Sequence, residues 1–139
     1  MPTDTTMPTI LIIDDDVMLS GMLANALKDA GYSVLEAADG QAGLQIAMNE
    51  HPSLAIIDYK LPDIDGLELI KTIRADEWGK VVPLILSTNV YEVEVMNAVM
   101  QLGVQDYILK ADVDLQEIIR LVGSYVPAGP GGPAAPSVG

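Results

Sequence analysis

The sequence predicts an α/β domain whose parallel sheet is covered by helices on both faces. Short aliphatic runs, of the kind that form buried parallel strands, alternate with amphipathic helical patterns five times along the chain. Units of this length imply right-handed crossovers, which place helices on both sides of the sheet. Acidic residues directly follow two of the strands, which indicates that the carboxyl edge of the sheet carries the function.

Each element is predicted from local pattern. The predicted strands, β1 to β5, lie at residues 9–14, 33–36, 54–58, 84–87 and 106–109. The predicted helices α1 to α4 lie at residues 19–30, 41–49, 67–76 and 93–102, where apolar residues recur at helical spacing. Helix α5 begins at Asp114, which forms a capping-box pattern with Glu117. Gly31 and Gly103 fit the ends of α1 and α4.

The composition excludes several classes of protein. The chain has no Cys, which excludes disulfides and thiol-ligated metals and fits a reducing cytoplasm. Nothing marks the amino terminus for secretion, and no apolar run approaches the roughly 20 residues that span a membrane. The net charge of −13 argues against direct binding of nucleic acid, because an acidic surface repels phosphate. We therefore expect a cytoplasmic protein without nucleic-acid or membrane partners.

Three segments are expected along the 139 residues. Residues 1–7 form a flexible amino-terminal segment, and residues 8–126 form one domain of sufficient length to bury a core. Residues 127–139 are rich in Pro, Gly and Ala and are interpreted as a flexible tail or linker. The tail fits a stand-alone protein and a domain cut from a longer protein, and the sequence does not choose between them.

Three carboxylates are expected to meet at the carboxyl edge of the sheet. Asp14 and Asp15 follow β1, and Asp58 ends β3. If these strands are neighbours, the three carboxylates converge on one small site. They cannot all stay ionised at close range without help, so the site should bind a hard cation. One carboxylate would then remain as a nucleophile.

Other acidic and apolar residues are given ordinary structural roles. Asp16 is expected to cap α1 rather than to bind metal. Asp63 and Asp65 are explained by turn chemistry. Met96 and Met100 stand at helical spacing and are expected to fill the core.

Together these features resemble the receiver domain of bacterial response regulators, the phosphoacceptor half of two-component signalling. The resemblance covers the predicted domain, and each motif is weak alone but specific in this order and at these spacings. It implies a CheY-like, flavodoxin-like doubly wound (βα)5 fold with strand order 2-1-3-4-5. The motifs that carry it are Asp14 with Asp15, Asp58, Pro62 and Gly66 in DYKLPDIDG, Thr88 after β4, and Tyr107 and Lys110 around β5.

The resemblance implies a metal-dependent phosphoryl transfer. Asp58 would accept a phosphoryl group from the phosphohistidine of a histidine kinase or of a phosphotransfer protein. The cofactor would be Mg²⁺, which favours a few carboxylates and phosphate oxygens. Its implied protein ligands are Asp14, Asp15, Asp58 and the backbone carbonyl of Lys60.

Further residues would stabilise and transmit the modified state. Thr88 and Lys110 would contact phosphoryl oxygens, and Thr88 with Tyr107 would form the conformational switch. The surface made by α4, β5 and α5, the α4-β5-α5 face, would then bind a downstream output protein or domain. A homodimer through this face is a second implied use.

Two positions depart from the family pattern. Asn89 stands where a small residue is usual, and Ala111 follows Lys110 where a proline in a cis peptide bond is usual. Because a cis bond before a residue other than proline costs about 2.5–4 kcal/mol, we expect a trans bond here. Lys60 occupies a variable position, where a long cation could shield the phosphoryl group from water.

The sequence leaves three functions open. The first is a phosphoacceptor signalling domain, which modifies itself and is not an enzyme with an external substrate. The second is a receiver-like interaction module that works without phosphate, which Asn89 and Ala111 keep open. The third is an aspartyl-phosphate hydrolase, which is less favoured because one large family of these enzymes needs a second Asp where Lys60 stands.

Overall fold

The aliphatic runs of the sequence pair with one another in a parallel sheet. A computed structural model describes residues 7–89, 92–112 and 114–128; parts of the predicted terminal segments, residues 1–6 and 129–139, lie outside the described residues. The strands in this part of the chain are β1 (Thr9–Ile13), β2 (Ser33–Ala37), β3 (Leu54–Asp58), β4 (Leu84–Thr88) and β5 (Asp106–Leu109). They form one parallel sheet in the implied order, 2-1-3-4-5.

The register of the sheet brings the predicted site residues to one edge. Ile13 at the end of β1 pairs with Ile57 of β3. The residues that follow them, Asp14 and Asp58, therefore lie side by side. Lys110 follows the last residue of β5 and reaches the same edge. The side chains predicted to converge thus lie together because these strands end at the same edge of the sheet.

Most of the helices begin at an Asp. Within the described ranges the helices are α1 (Val17–Asp29), α2 (Gly40–Glu50), α3 (Gly66–Arg74), α4 (Val93–Gln101) and α5 (Leu115–Tyr125). Asp side chains accept hydrogen bonds from first-turn N–H groups that the helix leaves without partners. The capping residues are Asp16, Asp39, Asp65 and Asp114. The predicted caps by Asp16 and Asp114 are confirmed, and none of these described helices is long and apolar enough to cross a membrane.

An apolar layer covers each face of the sheet. Because successive side chains along a strand point to opposite faces, β1 contributes to both layers. Leu11 and Ile13 pack in the layer formed with α2, α3 and α4. Ile10 and Ile12 pack in the layer formed with α1 and α5. These side chains are almost fully buried, so the strand that leads into the acidic site is rigidly held.

One core residue predicted from helical spacing is wrong. Met96 is buried as expected, but Met100 is 59% exposed on the outer side of α4. The stripe of α4 that faces the sheet consists of Met96 and Val99, and Val95 lies at its margin. This stripe is too narrow to include Met100, which lies on the exposed surface of α4.

Arg74 joins three separate segments at the opposite end of α3 from the site. Its guanidinium donates to the carbonyl oxygens of Gly79 and Val82, each at 2.7 Å. It also donates to the carbonyls of Leu102 at 2.7 Å and Gly103 at 2.8 Å, just after α4. Because a guanidinium carries five N–H donors in a planar fork, one side chain can satisfy all four carbonyls.

We expect Arg74→Met to lower the free energy of unfolding by about 2–4 kcal/mol, because four backbone carbonyls would lose a charged donor. Urea denaturation followed by circular dichroism measures this loss. The matched control is Arg120→Met, which removes an exposed pair with Glu117 and should cost less than about 1 kcal/mol. Equal losses in the two variants would contradict a structural role for Arg74.

Candidate functional site

Three carboxylates form a cluster at the carboxyl edge of the sheet. Each of Asp14, Asp15 and Asp58 offers an oxygen, and these oxygens lie within 4.8 Å of one another. Asp14 is 6% exposed and Asp58 is 4% exposed, whereas Asp15 is open to solvent. The cluster therefore presents one exposed and two buried oxygen ligands to the same point.

Lys110 bridges the two buried carboxylates. Its Nζ atom lies 2.9 Å from Oδ2 of Asp58 and 3.1 Å from the carboxylate of Asp14. Burial lowers the pKa of Lys110, but the hydrogen bonds and charges of Asp58 and Asp14 outweigh this effect and raise it. Lys110 therefore stays charged and holds both carboxylates in place.

The backbone fixes the direction of each carboxylate. The N–H of Asp14 donates to the carbonyl of Ala37 at 2.9 Å, which ties the β1 end to the β2 end. Oδ1 of Asp14 accepts from the N–H of Asp16 at 2.9 Å. Oδ1 of Asp58 accepts from the N–H of Lys60 at 3.3 Å, which leaves its Oδ2 for Lys110.

Asp58 has an unusual electrostatic environment for a carboxyl group. Its pKa is raised from 3.8 to about 6, first by burial and also by the charge of Asp14. Lys110 and the N–H of Lys60 act in the opposite direction without cancelling the shift. At neutral pH Asp58 is thus an anion whose charge is costly for the protein, and an added cation would relieve that cost.

The charges of the cluster fit one divalent cation. Three carboxylates and one ammonium leave two negative charges. Carboxylate oxygens are the ligands that hard cations such as Mg²⁺ and Ca²⁺ prefer. The cluster could therefore hold such an ion, as the sequence predicted.

An open cleft of about 850 Å³ lies over the cluster. It is large enough for an ion with its water ligands and for a phosphoryl group. Thr88 lies at its edge and is buried, while Lys60 and Asn89 are exposed. The residues that line the cleft include Asp15, Asp58, Lys60, Thr88, Asn89, Lys110 and Ala111.

The remaining sequence-predicted residues have definite positions. Tyr107 is half-buried in β5 and pairs with Leu86 of β4. The bond from Lys110 to Ala111 is trans, as expected from the missing proline. Ala111 lies in the short 3-10 turn that continues from β5 over residues Lys110–Asp112.

Gly66 is required by a close approach of backbone to backbone. A Cβ atom at this position would lie 2.6 Å from the carbonyl oxygen of Asp58 and 2.8 Å from Cα of Tyr59. The N–H of Gly66 also donates to the carbonyl of Tyr59 at 2.8 Å. This contact closes the loop from Asp58 to α3 directly beside the site.

Sequence reasoning missed the role of Asp63. Turn chemistry was expected, but its two carboxylate oxygens accept from the N–H groups of Gly40 at 2.7 Å and Gln41 at 2.9 Å. Asp65 was also assigned to a turn, and it caps α3 by accepting from Leu67 at 2.7 Å. No local signal identifies Asp63, because its partners lie more than 20 residues earlier in the chain.

Comparison with known protein families tests the resemblance that the sequence motifs indicate. Residues 10–122 match the family described as "Response regulator receiver domain". The chain belongs to this family. Receiver domains are signalling domains of two-component systems, and the fold found here is theirs.

Similar proteins include the phosphate regulon transcriptional regulatory protein PhoB of Pseudomonas aeruginosa. It is 34% identical over 128 residues, which cover 92% of this chain and 56% of PhoB. An uncharacterized 14.6 kDa protein of Leptolyngbya boryana is 36% identical over 121 residues, 87% of this chain and 92% of that protein. The structure of chemotaxis protein CheY4 of Vibrio cholerae superposes with a TM-score of 0.82 at 25% identity, covering 87% of this chain and all of that one.

The length of the receiver domain differs from that of its transcriptional relatives. The chain spans about half the length of these regulators, 56% of PhoB and 48% of RpaA of Synechocystis.

We expect Asp58→Asn to stabilise the metal-free receiver domain at neutral pH. Because the pKa of Asp58 is raised to about 6, its ionisation removes stability as the pH rises from about 4 through about 6. The Asn variant escapes this loss. Its advantage in the free energy of unfolding should grow by about 1–2 kcal/mol between about pH 4.5 and about pH 7.5.

Urea denaturation in the presence of a chelator, at both pH values, checks this expectation. Asp29→Asn, a change of an exposed carboxylate at the end of α1, is the matched control and should show no such growth. An advantage of Asp58→Asn that is equal at the two pH values would contradict the electrostatic origin.

Proposed function

We propose that this receiver domain takes a phosphoryl group from a phosphohistidine onto Asp58 and then signals through a changed surface. The observation that carries the proposal is Lys110, which lies 2.9 Å from Asp58 inside a cluster of three carboxylates. A buried anion, a neighbouring cation and a set of oxygen ligands for a metal ion are the parts that phosphoryl transfer to a carboxylate requires.

The proposed cofactor is Mg²⁺. Its proposed protein ligands are Asp14, Asp15, Asp58 and the backbone carbonyl of Lys60. When bound, the ion neutralises charge on the phosphoryl oxygens as it develops. Few protein ligands suit Mg²⁺, because it keeps several of its waters.

Asp58 is proposed as the nucleophile. One of its oxygens attacks the phosphorus, so that a bond from phosphorus to oxygen forms as the bond from phosphorus to the donor imidazole breaks. Lys110 is within reach of the attacking carboxylate and would pair with a phosphoryl oxygen as the charge shifts outward. Because the product is an acyl phosphate, attack by water on the same phosphorus resets Asp58, and no external substrate is turned over.

Thr88 and Tyr107 are proposed to transmit the change. Thr88 lies at the end of β4, one residue beyond the Ser87 that pairs with Asp58, so its hydroxyl can turn toward a new phosphoryl group. Tyr107 lies on the adjacent strand and would occupy the space that Thr88 leaves. The two packings form an equilibrium, which the phosphoryl contacts shift.

The α4-β5-α5 face is the proposed output surface. Its helix α4 has the exposed apolar residues Val93 and Met100, and its strand β5 has the half-buried Tyr107. The proposed partners are a histidine kinase or phosphotransfer protein as donor and a downstream output protein or domain as target. A homodimer through this face is part of the proposal, and the setting is the cytoplasm.

We expect acetyl phosphate to add one phosphoryl group to the protein, and to do so only when Mg²⁺ and Asp58 are both present. Intact mass spectrometry measures the increment, and Asp58→Asn and a chelator are the controls. An increment in the Asn variant would contradict Asp58 as the acceptor. No increment with acetyl phosphate or with a phosphohistidine donor would favour the module that works without phosphate.

We expect Lys60→Ala to shorten the lifetime of the phosphoryl group several-fold. The side chain of Lys60 is exposed at the cleft, where it can shield the acyl phosphate from attacking water. Decay of the phosphorylated mass after removal of the donor measures the lifetime. Lys60→Arg keeps the length and charge and should decay at nearly the original rate; an unchanged or longer lifetime in Lys60→Ala would refute shielding.

A further inference from the structure

The loop between Asp58 and α3 is anchored at both of its ends. At the first end, Tyr59 donates its N–H to the carbonyl of Ser87 at 2.8 Å. At the other end, Asp65 forms an isolated bridge with Lys60 and caps α3. Residues 61–64 lie between these two ends, and a further contact there would restrict the direction of the Lys60 carbonyl.

Asp63 supplies that contact by reaching across to α2. Its Oδ1 accepts from the N–H of Gly40 at 2.7 Å, and its Oδ2 accepts from the N–H of Gln41 at 2.9 Å. The pKa of Asp63 is lowered, first by the hydrogen bond from Gly40 and then by that from Gln41. Ile64 packs so close to Gly40 that a Cβ atom there would collide with its side chain. The loop and the start of α2 are therefore fitted to each other.

Asp63 shares the capping of α2 with a local residue. Asp39, the N-cap of α2, accepts from the N–H of Ala42 at 2.8 Å. The N–H groups of Gly40 and Gln41, which precede Ala42, donate to Asp63. One helix start is thus capped by two carboxylates, of which only Asp63 belongs to the loop beside the site. This division makes the helix-capping role and the loop-holding role separable by mutation.

The segment that Asp63 binds also holds the other half of the acidic cluster. Ala37, at the end of β2, accepts the N–H of Asp14 at 2.9 Å. Gly40 follows three residues later and donates to Asp63. The segment 37–41 is therefore a common support, with the Asp14 side of the cluster on one flank and the Asp58 to Lys60 side on the other.

We infer that Asp63 is a positioning residue for the metal site. It fixes the separation between the carboxylates that follow β1 and the Lys60 carbonyl that follows β3, without contacting the ion. The inference rests on the Mg²⁺ site of the proposed function. Partners that orient metal ligands from outside the ligand shell commonly change metal affinity about 10–100-fold when they are removed.

The test compares Asp63→Ala with Asp39→Ala. Both variants remove a cap from α2, but only the first releases the loop. We expect Asp63→Ala to raise the Kd for Mg²⁺, measured by calorimetry with the ion alone, about threefold to tenfold. Asp39→Ala should change this Kd by less than about twofold, even where urea denaturation shows an equal loss of stability.

A second readout needs no metal. In the chelated protein, Asp63→Ala should speed amide hydrogen exchange at Tyr59, Lys60 and Ile64, whereas Asp39→Ala should speed it only at the start of α2. If Asp63→Ala does not fold, Asp63→Asn replaces it, because an amide offers one acceptor oxygen in place of two. Its Kd should then lie between those of the wild type and a released loop.

The outcomes separate the inference from the proposed function. Equal shifts of the Kd in the Asp63 and Asp39 variants, or an unchanged Kd in both Asp63 variants, would overturn the positioning role. A wild-type protein that binds Mg²⁺ but accepts no phosphoryl group overturns the proposed function and leaves the comparison of Kd values intact. A wild-type protein that does not bind Mg²⁺ overturns both.

Discussion

The contact of one ammonium with two buried carboxylates is the constraint on which the site depends. Lys110 can reach Asp14 and Asp58 together only because β1, β3 and β5 end at the same edge of the sheet. Buried carboxylates without a partner would be protonated or exposed, since an unpaired charge in the interior is very costly. One cation for three carboxylates leaves the cluster short of positive charge. The cluster therefore has an electrostatic demand that a divalent metal ion can meet.

The protein tolerates the repulsion between these carboxylates because apolar packing holds the strands beneath them. The side chains of β1 and β3 are buried on both faces of the sheet, so their ends cannot separate to relieve the repulsion. Above them, the loops are held by hydrogen bonds as well as by apolar contacts such as that of Ile64 with Gly40. Asp16, Asp39 and Asp65 each fix the point where a loop becomes a helix. The packed core thus makes the strands rigid, and the helix caps fix the direction in which each helix begins.

Sequence patterns predicted the strands, the helices and the acidic cluster because these depend on local periodicity. Elements fell within about two residues of their observed bounds, and Asp14 and Asp58 met because parallel strands end together. The functions of Asp63 and Arg74 were not predictable. Their partners are backbone groups of other segments. Because almost every residue has the same backbone N–H and carbonyl, no sequence pattern identifies these partners. The prediction that Met100 lies in the core was wrong for a third reason, since helical spacing indicates the centre of an apolar stripe but not its width.

The same electrostatic cost that weakens the fold favours binding of a cation at the site. The raised pKa of Asp58 means that its anion is less stable here than in water. Any ligand that binds the anion in the folded state recovers part of that free energy, which couples metal binding to the stability of the domain. A site without this strain would hold its carboxylates equally well with or without an ion. An acidic cluster that is short of positive charge is therefore suited to gain stability from a bound divalent cation.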